Sequence, residues 1–189
     1  METIQHNILW SGIEYYSLEN CFVESTPDGV MINSIIVGLY NEEIYRVKYD
    51  IILDKDWVTK SCIIEAWINN KVKKIDLSKQ GDTWFLNGKI HHKFDNCIDV
   101  DIPLTPLTNS LPINRLRLSL GQETKVDIIY IDLLEDTLKH VKQKYKRLST
   151  EIFKYENIPN DFEAEIKVDT AGFVVNYPQL FKRKIRIQK

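Results

Sequence analysis

Asp99-Val100-Asp101 holds the two groups in this sequence best spaced for chemistry. On an extended strand residues i and i+2 share a face, which sets the two carboxylates about 7 Å apart. Such a pair could hold a divalent ion beside a sugar phosphate, or serve as general acid and base. The same triplet suits the end of an amphipathic strand, with Val100 and Ile102 buried and both Asp side chains solvated. With no nucleotide-binding βαβ unit beside it, the solvated strand is the better-supported reading. Arg115 follows a proline-rich stretch and has two possible roles. It could pair with Asp99 or Asp101 and tie loop to sheet, or face a cavity and clamp a phosphate or carboxylate head group.

Other chemistries lack their markers. His91-His92 are adjacent, so on a strand they point to opposite faces and cannot grip one ion; His6 and His140 are isolated. There is no HExxH, no CxxC, no GxSxG elbow and no Gly-rich phosphate loop. No metal and no cofactor is expected. Cys21, Cys62 and Cys97 are an odd, widely spaced set in or near apolar runs, which reads as buried reduced thiols. Aromatic content is the main physical pointer to binding. Four Trp join nine Tyr and seven Phe, and flat rings suit the walls of lipid and sugar sites as well as ordinary cores.

The elements that must position these groups read at period two. Tyr45, Val47, Tyr49 and Ile51 alternate with Arg46, Lys48 and Asp50, which puts large side chains on one face and charge on the other. Residues 126–132 and 162–169 repeat the pattern. Asn69-Asn70, Asn87-Gly88 and Asp28-Gly29 separate such runs and predict hairpins. Residues 135–152 fit either period: Leu138, Val141, Tyr145 and Leu148 have helical spacing, while Val141, Gln143 and Tyr145 line one side of a strand. Pro103, Pro106 and Pro112 predict a long structured loop over residues 102–116, with neither helix nor central strand. The fold expected is mainly β: one antiparallel sheet curled into a barrel or half-barrel, with little helix, as a single domain over residues 1–189.

Composition narrows the partners. At 189 residues with a net charge of −2, the chain can bury a real core and carries no broad phosphate-binding face, so nucleic acid is not expected. Lys182-Arg183-Lys184 reads as a solvated run. No window reaches the roughly 20 apolar residues of a membrane-spanning helix. The first nine residues, with acidic Glu2, do not read as a secretory signal, so a cytoplasmic location is expected.

Residues 99–116 read DxDIPLTPLTNSLPIxRL, and residues 162–181 carry Phe162, Ala164, Val168-Asp169, Gly172 and Tyr177-Pro178-Gln179-Leu180-Phe181. Together with the Gln143-Lys144-Tyr145 element they resemble the signature of the putative glycolipid-binding family of bacterial proteins. The resemblance runs along nearly the whole chain and is strongest from Asp99 onward. It implies a sheet curled into an incomplete barrel around an apolar cavity, as in the periplasmic lipoprotein carriers. It implies further that Asp99, Asp101, Asn109, Arg115, Tyr145 and Tyr177 belong to the functional region.

The function expected is non-enzymatic binding of a lipid, glycolipid or similar amphiphile. The apolar faces of residues 45–51, 62–68 and 126–131 would form the wall, Trp67 and Trp84 would stack on the ligand, and Asn109 and Arg115 would sit near its polar end. Two alternatives stand beside it. One is an enzyme acting on a polar or sugar-like substrate through Asp99, Asp101 and Arg115; the other is a protein interaction module. Ligand identity and oligomeric state are not written in the sequence.

Overall fold

A computed structural model describes residues 3–189; Met1 and Glu2, and with them the acidic start of the chain, lie outside the described residues. The first run of strands is β1 (Ile4–Gly12), β2 (Ser17–Thr26), β3 (Gly29–Tyr40), β4 (Glu43–Asp54), β5 (Thr59–Ile68), β6 (Lys71–Gln80), β7 (Thr83–Leu86) and β8 (Lys89–Ile90). A short 3-10 turn (His92–Phe94), β9 (Asp99–Asp101) and the helix α1 (Leu107–Leu116) follow. The second run is β10 (Glu123–Asp132), β11 (Thr137–Arg147), β12 (Ile152–Ile158), β13 (Glu163–Val168), β14 (Val174–Tyr177) and β15 (Phe181–Gln188).

All the strands join one sheet in the order β8-β7-β6-β5-β4-β3-β2-β1-β15-β14-β13-β12-β11-β10-β9. Two meanders are thus stitched together where β1 pairs with β15 (for example Ile8 opposite Arg186). Among the described residues every pairing is antiparallel except β9 on β10. The sheet curls without closing.

Alternation builds it. In β4, Tyr45, Val47, Tyr49, Ile51 and Leu53 are buried while Arg46, Lys48 and Ile52 are exposed. Asn87 and Gly88 both take positive φ at the β7–β8 turn, as a two-residue hairpin requires. The β2–β3 hairpin forms as expected, though its two-residue loop is Pro27-Asp28 and Gly29 already lies in the strand. Residues 137–147 are a strand, which settles the double reading of that segment. Pairing of β11 with both β10 and β12 satisfies its backbone on two sides and buries Gln143 and Tyr145 at period two.

The loop expected over residues 102–116 is corrected: α1 occupies Leu107–Leu116, with Pro112 inside it. Pro103 and Pro106 precede the helix and cost it nothing. Pro112 deletes one ladder hydrogen bond. Burial of residues 107–113 on nearly all sides holds the helix in place of intrinsic propensity. Thr105 Oγ1 accepts the Leu107 N–H (3.0 Å) at the helix start, and Arg117 ends the helix in the left-handed region (φ 46°).

Two apolar clusters result. The first meander packs its side chains, including Trp10, Ile32, Tyr49, Cys62 and Trp84, into a cluster that Val100, Ile129, Ile131 and Phe173 complete. Leu107 and Leu111 of α1 join that cluster. The second meander gathers Val126, Ile128, Tyr145, Phe153, Ile166 and Phe181, with Ile113 of α1. Among the described residues, no helix is long and apolar enough to cross a membrane.

Candidate functional site

A cavity of about 530 Å³ opens on the concave side of the second meander, floored by the segment that runs from β9 into α1. Asp101 ends β9, Thr105 lies in the connection, and Asn109 sits in the first turn of α1. Strand alternation turns Tyr130 of β10, Val141 and Gln143 of β11, Tyr155 of β12 and Tyr177 of β14 toward the same space. Tyr15, from the turn between β1 and β2, closes one side. Exposed Lys139, Lys142 and Asp161 stand at the rim.

The floor is a hydrogen-bonded chain. Thr108 Oγ1 donates to Asp101 Oδ1 (2.7 Å), and Gln143 Nε2 donates to Asp101 Oδ2 (2.6 Å). The Tyr145 hydroxyl donates to Asn109 Oδ1 (3.0 Å) and lies 3.2 Å from Gln143 Oε1. Tyr145 is therefore bound into the wall just behind the cavity, and it fixes Asn109 and Gln143 in orientation. Burial pushes the Asp101 carboxyl above the usual range, and the Thr108 and Gln143 hydrogen bonds pull it back.

Rings make the walls. Tyr155 packs edge-on against Tyr177 at 6.2 Å, Tyr177 lies 6.3 Å from Phe181, and Phe181 stacks on Tyr15 at 5.9 Å. The hydroxyls of Tyr15, Tyr130, Tyr155 and Tyr177 make no side-chain hydrogen bond among the described residues. Burial raises the pKa of each, and the Asp101 charge raises all four further, so these phenols remain protonated donors at any ordinary pH.

Asp99, Asp101 and Arg115 do not converge on a common cleft. Asp99 is fully buried (0% exposed) and faces Arg115, whose Nε lies 3.0 and 3.2 Å from its two oxygens and whose Nη2 lies 2.5 Å from Oδ2. Burial pushes Asp99 up and the Arg115 guanidinium draws it down. That pair ties β9 to α1, and of the three residues only Asp101 lines the cavity. Trp67 lies on the outer face of β5 with the Arg46 guanidinium 4.0 Å over its ring. Trp84 is sealed in the first meander, donating Nε1–H to the Cys97 carbonyl (3.0 Å). Neither reaches the cavity. The walls expected from residues 45–51 and 62–68 instead face the packed interior of the first meander. Of the three expected wall segments, residues 126–131 contribute through Tyr130.

A family model described as Putative glycolipid-binding matches residues 7–183. The chain belongs to this family. Among solved structures it is similar to a DUF1089 family protein from Pseudomonas aeruginosa, with 29% identity and a TM-score of 0.78. That match covers 88% of this chain and 91% of the other. A beta-barrel-like protein of a domain of unknown function, DUF1849, from Brucella abortus shares the fold at a TM-score of 0.55 and 8% identity, over 99% of this chain and 98% of that one. No curated protein matches the chain.

Sequence reasoning passed over one buried carboxyl. Glu19 is 2% exposed inside the first meander. Its Oε1 accepts from the Tyr49 hydroxyl (2.5 Å) and Ser34 Oγ (2.7 Å). Tyr49 in turn lies 3.3 Å from Thr105 Oγ1, which borders the cavity. The signal was available: Cys21 and Val23 point inward on β2, and period two carries Glu19 inward with them. Tyr15 and Tyr155 were missed for a different reason, and Tyr130 was expected only as part of a wall segment. They come from separate strands and a turn, and no local spacing groups them.

Proposed function

We propose that this chain is a non-catalytic binder of an amphiphile whose polar end is hydroxyl-rich, as in a glycolipid, held in the cavity of the second meander. The observation that carries the reading is the pairing of aromatic walls with polar groups that still have hydrogen-bonding capacity. Four tyrosine hydroxyls can donate or accept, and Asp101 offers remaining acceptor sites. Sugar rings present apolar faces to aromatic side chains and hydroxyls to such groups. The family's name points the same way. An acid–base reaction through Asp99, Asp101 and Arg115 is not favoured, because Arg115 is consumed by Asp99 away from the cavity.

Native mass spectrometry with octyl glucoside and octyl sulfate, each below its micelle concentration, tests the reading, alongside organic extraction of the freshly purified protein. Octyl glucoside should bind one-to-one and octyl sulfate more weakly. Tyr155→Ala and Asp101→Asn should each weaken the glucoside complex by about tenfold, the loss of one or two good polar or ring contacts. Trp67→Ala should leave it unchanged. Equal binding of the two head groups would refute the hydroxyl preference, and binding of neither, with no co-purified lipid, would refute the binder.

A further inference from the structure

The far end of α1 opens on a second, separate cleft of about 460 Å³, whose lining includes Trp57, Asn114, Arg117, Arg147, Phe153 and Asp169. Its charge is one-sided. Asp169 Oδ2 pairs with both Arg183 and Arg186 Nη1 (3.0 Å for the latter), and its Oδ1 accepts the backbone N–H groups of Ala171 and Phe173 at 2.9 and 3.1 Å. That carboxylate is saturated and offers nothing to the other two arginines. Glu151, at the cleft's edge in sequence, is engaged by Lys167 (3.2 Å). Among the described residues, neither Arg117 nor Arg147 meets a carboxylate.

Arg147 is nevertheless half-buried and fixed. Its Nε donates to the Ser149 carbonyl (3.1 Å), its Nη1 donates to the Leu118 carbonyl (2.9 Å), and its guanidinium lies 5.8 Å from the Phe153 ring centre. Two neutral carbonyls orient this cation without neutralising it, and Nη2 is left as a free donor. A partly buried guanidinium with no counter-charge is uncommon in proteins.

The backbone around the cleft is also held in costly conformations. Trp57 takes φ 64°, a genuine outlier for so bulky a side chain. The β4–β5 turn imposes it: Asp54 Oδ1 accepts the N–H groups of Asp56 and Val58, each at 3.0 Å, and the Asp54 carbonyl accepts that of Trp57. The indole is thereby delivered against Phe173 at 6.2 Å, on the apolar side of the cleft. Arg117 takes φ 46° where α1 ends. Two strained residues from distant segments meeting at one cleft fit a binding site better than simple packing.

We propose that this cleft is an anion site, distinct from the cavity of the second meander, which holds a phosphate-type oxyanion between Arg147 and Arg117 with Trp57 as its apolar border. Guanidinium forks suit an oxyanion with several charged oxygens, and two forks from different segments suit one with more oxygens than a carboxylate has. A lipid head group and a free small molecule both carry this phosphoryl chemistry, and the test separates the two sources.

Inorganic phosphate is titrated into the full-length protein at constant ionic strength, with chloride as the reference, and amide NMR shifts are followed. Separately, the protein is floated with phosphatidylcholine vesicles with and without phosphatidylglycerol. Saturable phosphate-specific shifts around residues 57, 117 and 147–150 support the site. So does flotation that needs the anionic lipid, which identifies the head group as the source. Arg117→Asn is the decisive variant, because Asn accepts the left-handed conformation and Arg117 makes no side-chain hydrogen bond among the described residues whose loss would unfold the protein. Arg117→Asn and Arg147→Lys should each weaken the response by about tenfold while octyl glucoside binding stays as in the wild type. Shifts no different from those with chloride, together with flotation that ignores lipid charge, would overturn the proposal. A response that survives both substitutions would overturn it equally.

Discussion

Replacing Glu19 with Gln should change how stability depends on pH, by an amount the buried environment sets. Only 2% of Glu19 is exposed, Oε1 accepts from Tyr49 and Ser34, and Oε2 has no partner in the structure. Burial pushes its carboxyl from an ordinary 4.5 up to about 7, against the opposing pull of those hydrogen bonds. Between pH 4.5 and 7 the folded protein therefore keeps a proton that the unfolded chain has released. Raising the pH through that window favours unfolding, and the loss is complete above about pH 7. At 1.36 kcal/mol per unit, the shift corresponds to about 3 kcal/mol. Gln cannot ionise but keeps an oxygen for the Tyr49 and Ser34 donors. Urea unfolding of both proteins at pH 4 and pH 8 isolates the effect, because any constant cost of the amide cancels between the two conditions. Asp99 and Asp101, also raised by burial, act in the same direction in both proteins and cancel as well. The wild type should lose about 3 kcal/mol more than Glu19→Gln on going from pH 4 to pH 8. Parallel pH profiles would refute the reasoning and place the Glu19 charge in a solvated or compensated setting.

Two further substitutions probe the scaffold of the site. Arg115→Ala strands the Asp99 carboxylate without a partner, and urea unfolding at pH 7 should show a loss of about 3–5 kcal/mol; a loss below about 1 kcal/mol would mean that the pair does not tie β9 to α1. Gly172→Ala places a Cβ 2.4 Å from Asn114 Oδ1 at a backbone φ of 76°, so it should cost more than about 1 kcal/mol, and adding Asn114→Ala should recover part of that loss.

Local pattern carried most of the fold. The runs around Tyr45–Ile51 and Ala164–Val168 alternate so regularly that strand identity and inward face follow from residue order alone, whereas Val126–Ile131 buries both faces, Ile128 in one cluster and Ile129 in the other. Residues 137–147 did not yield to pattern, since their apolar residues satisfy both periods. Hydrogen bonding to β10 and β12 decided the matter. The helix at Leu107–Leu116 was hidden by its prolines, because the rule that excludes proline from helices assumes a helix that must stand on its own propensity. Buried between two clusters, this one does not.

The residues of the site divide along the same line. Asp99, Asp101, Asn109, Arg115 and Tyr145 lie close in sequence or within a recognisable motif, and their membership of one region could be read in advance. Their division of labour could not. Asp99 and Asp101 sit two residues apart, yet one is sealed against Arg115 while the other lines the cavity. The sealing comes from how α1 is laid across the sheet. Trp67 and Trp84 differ likewise, one on the outer face and one in the core. Residue order by itself determined which faces of the strands are apolar and where the chain turns, because both depend on neighbours within a few residues. Which meander packs solid and which keeps a cavity was decided only by the tertiary structure. That outcome depends on where α1, β9 and β15 come to rest, through contacts between segments that are distant in sequence, from Asp99 against Ile128 to Ile8 against Arg186.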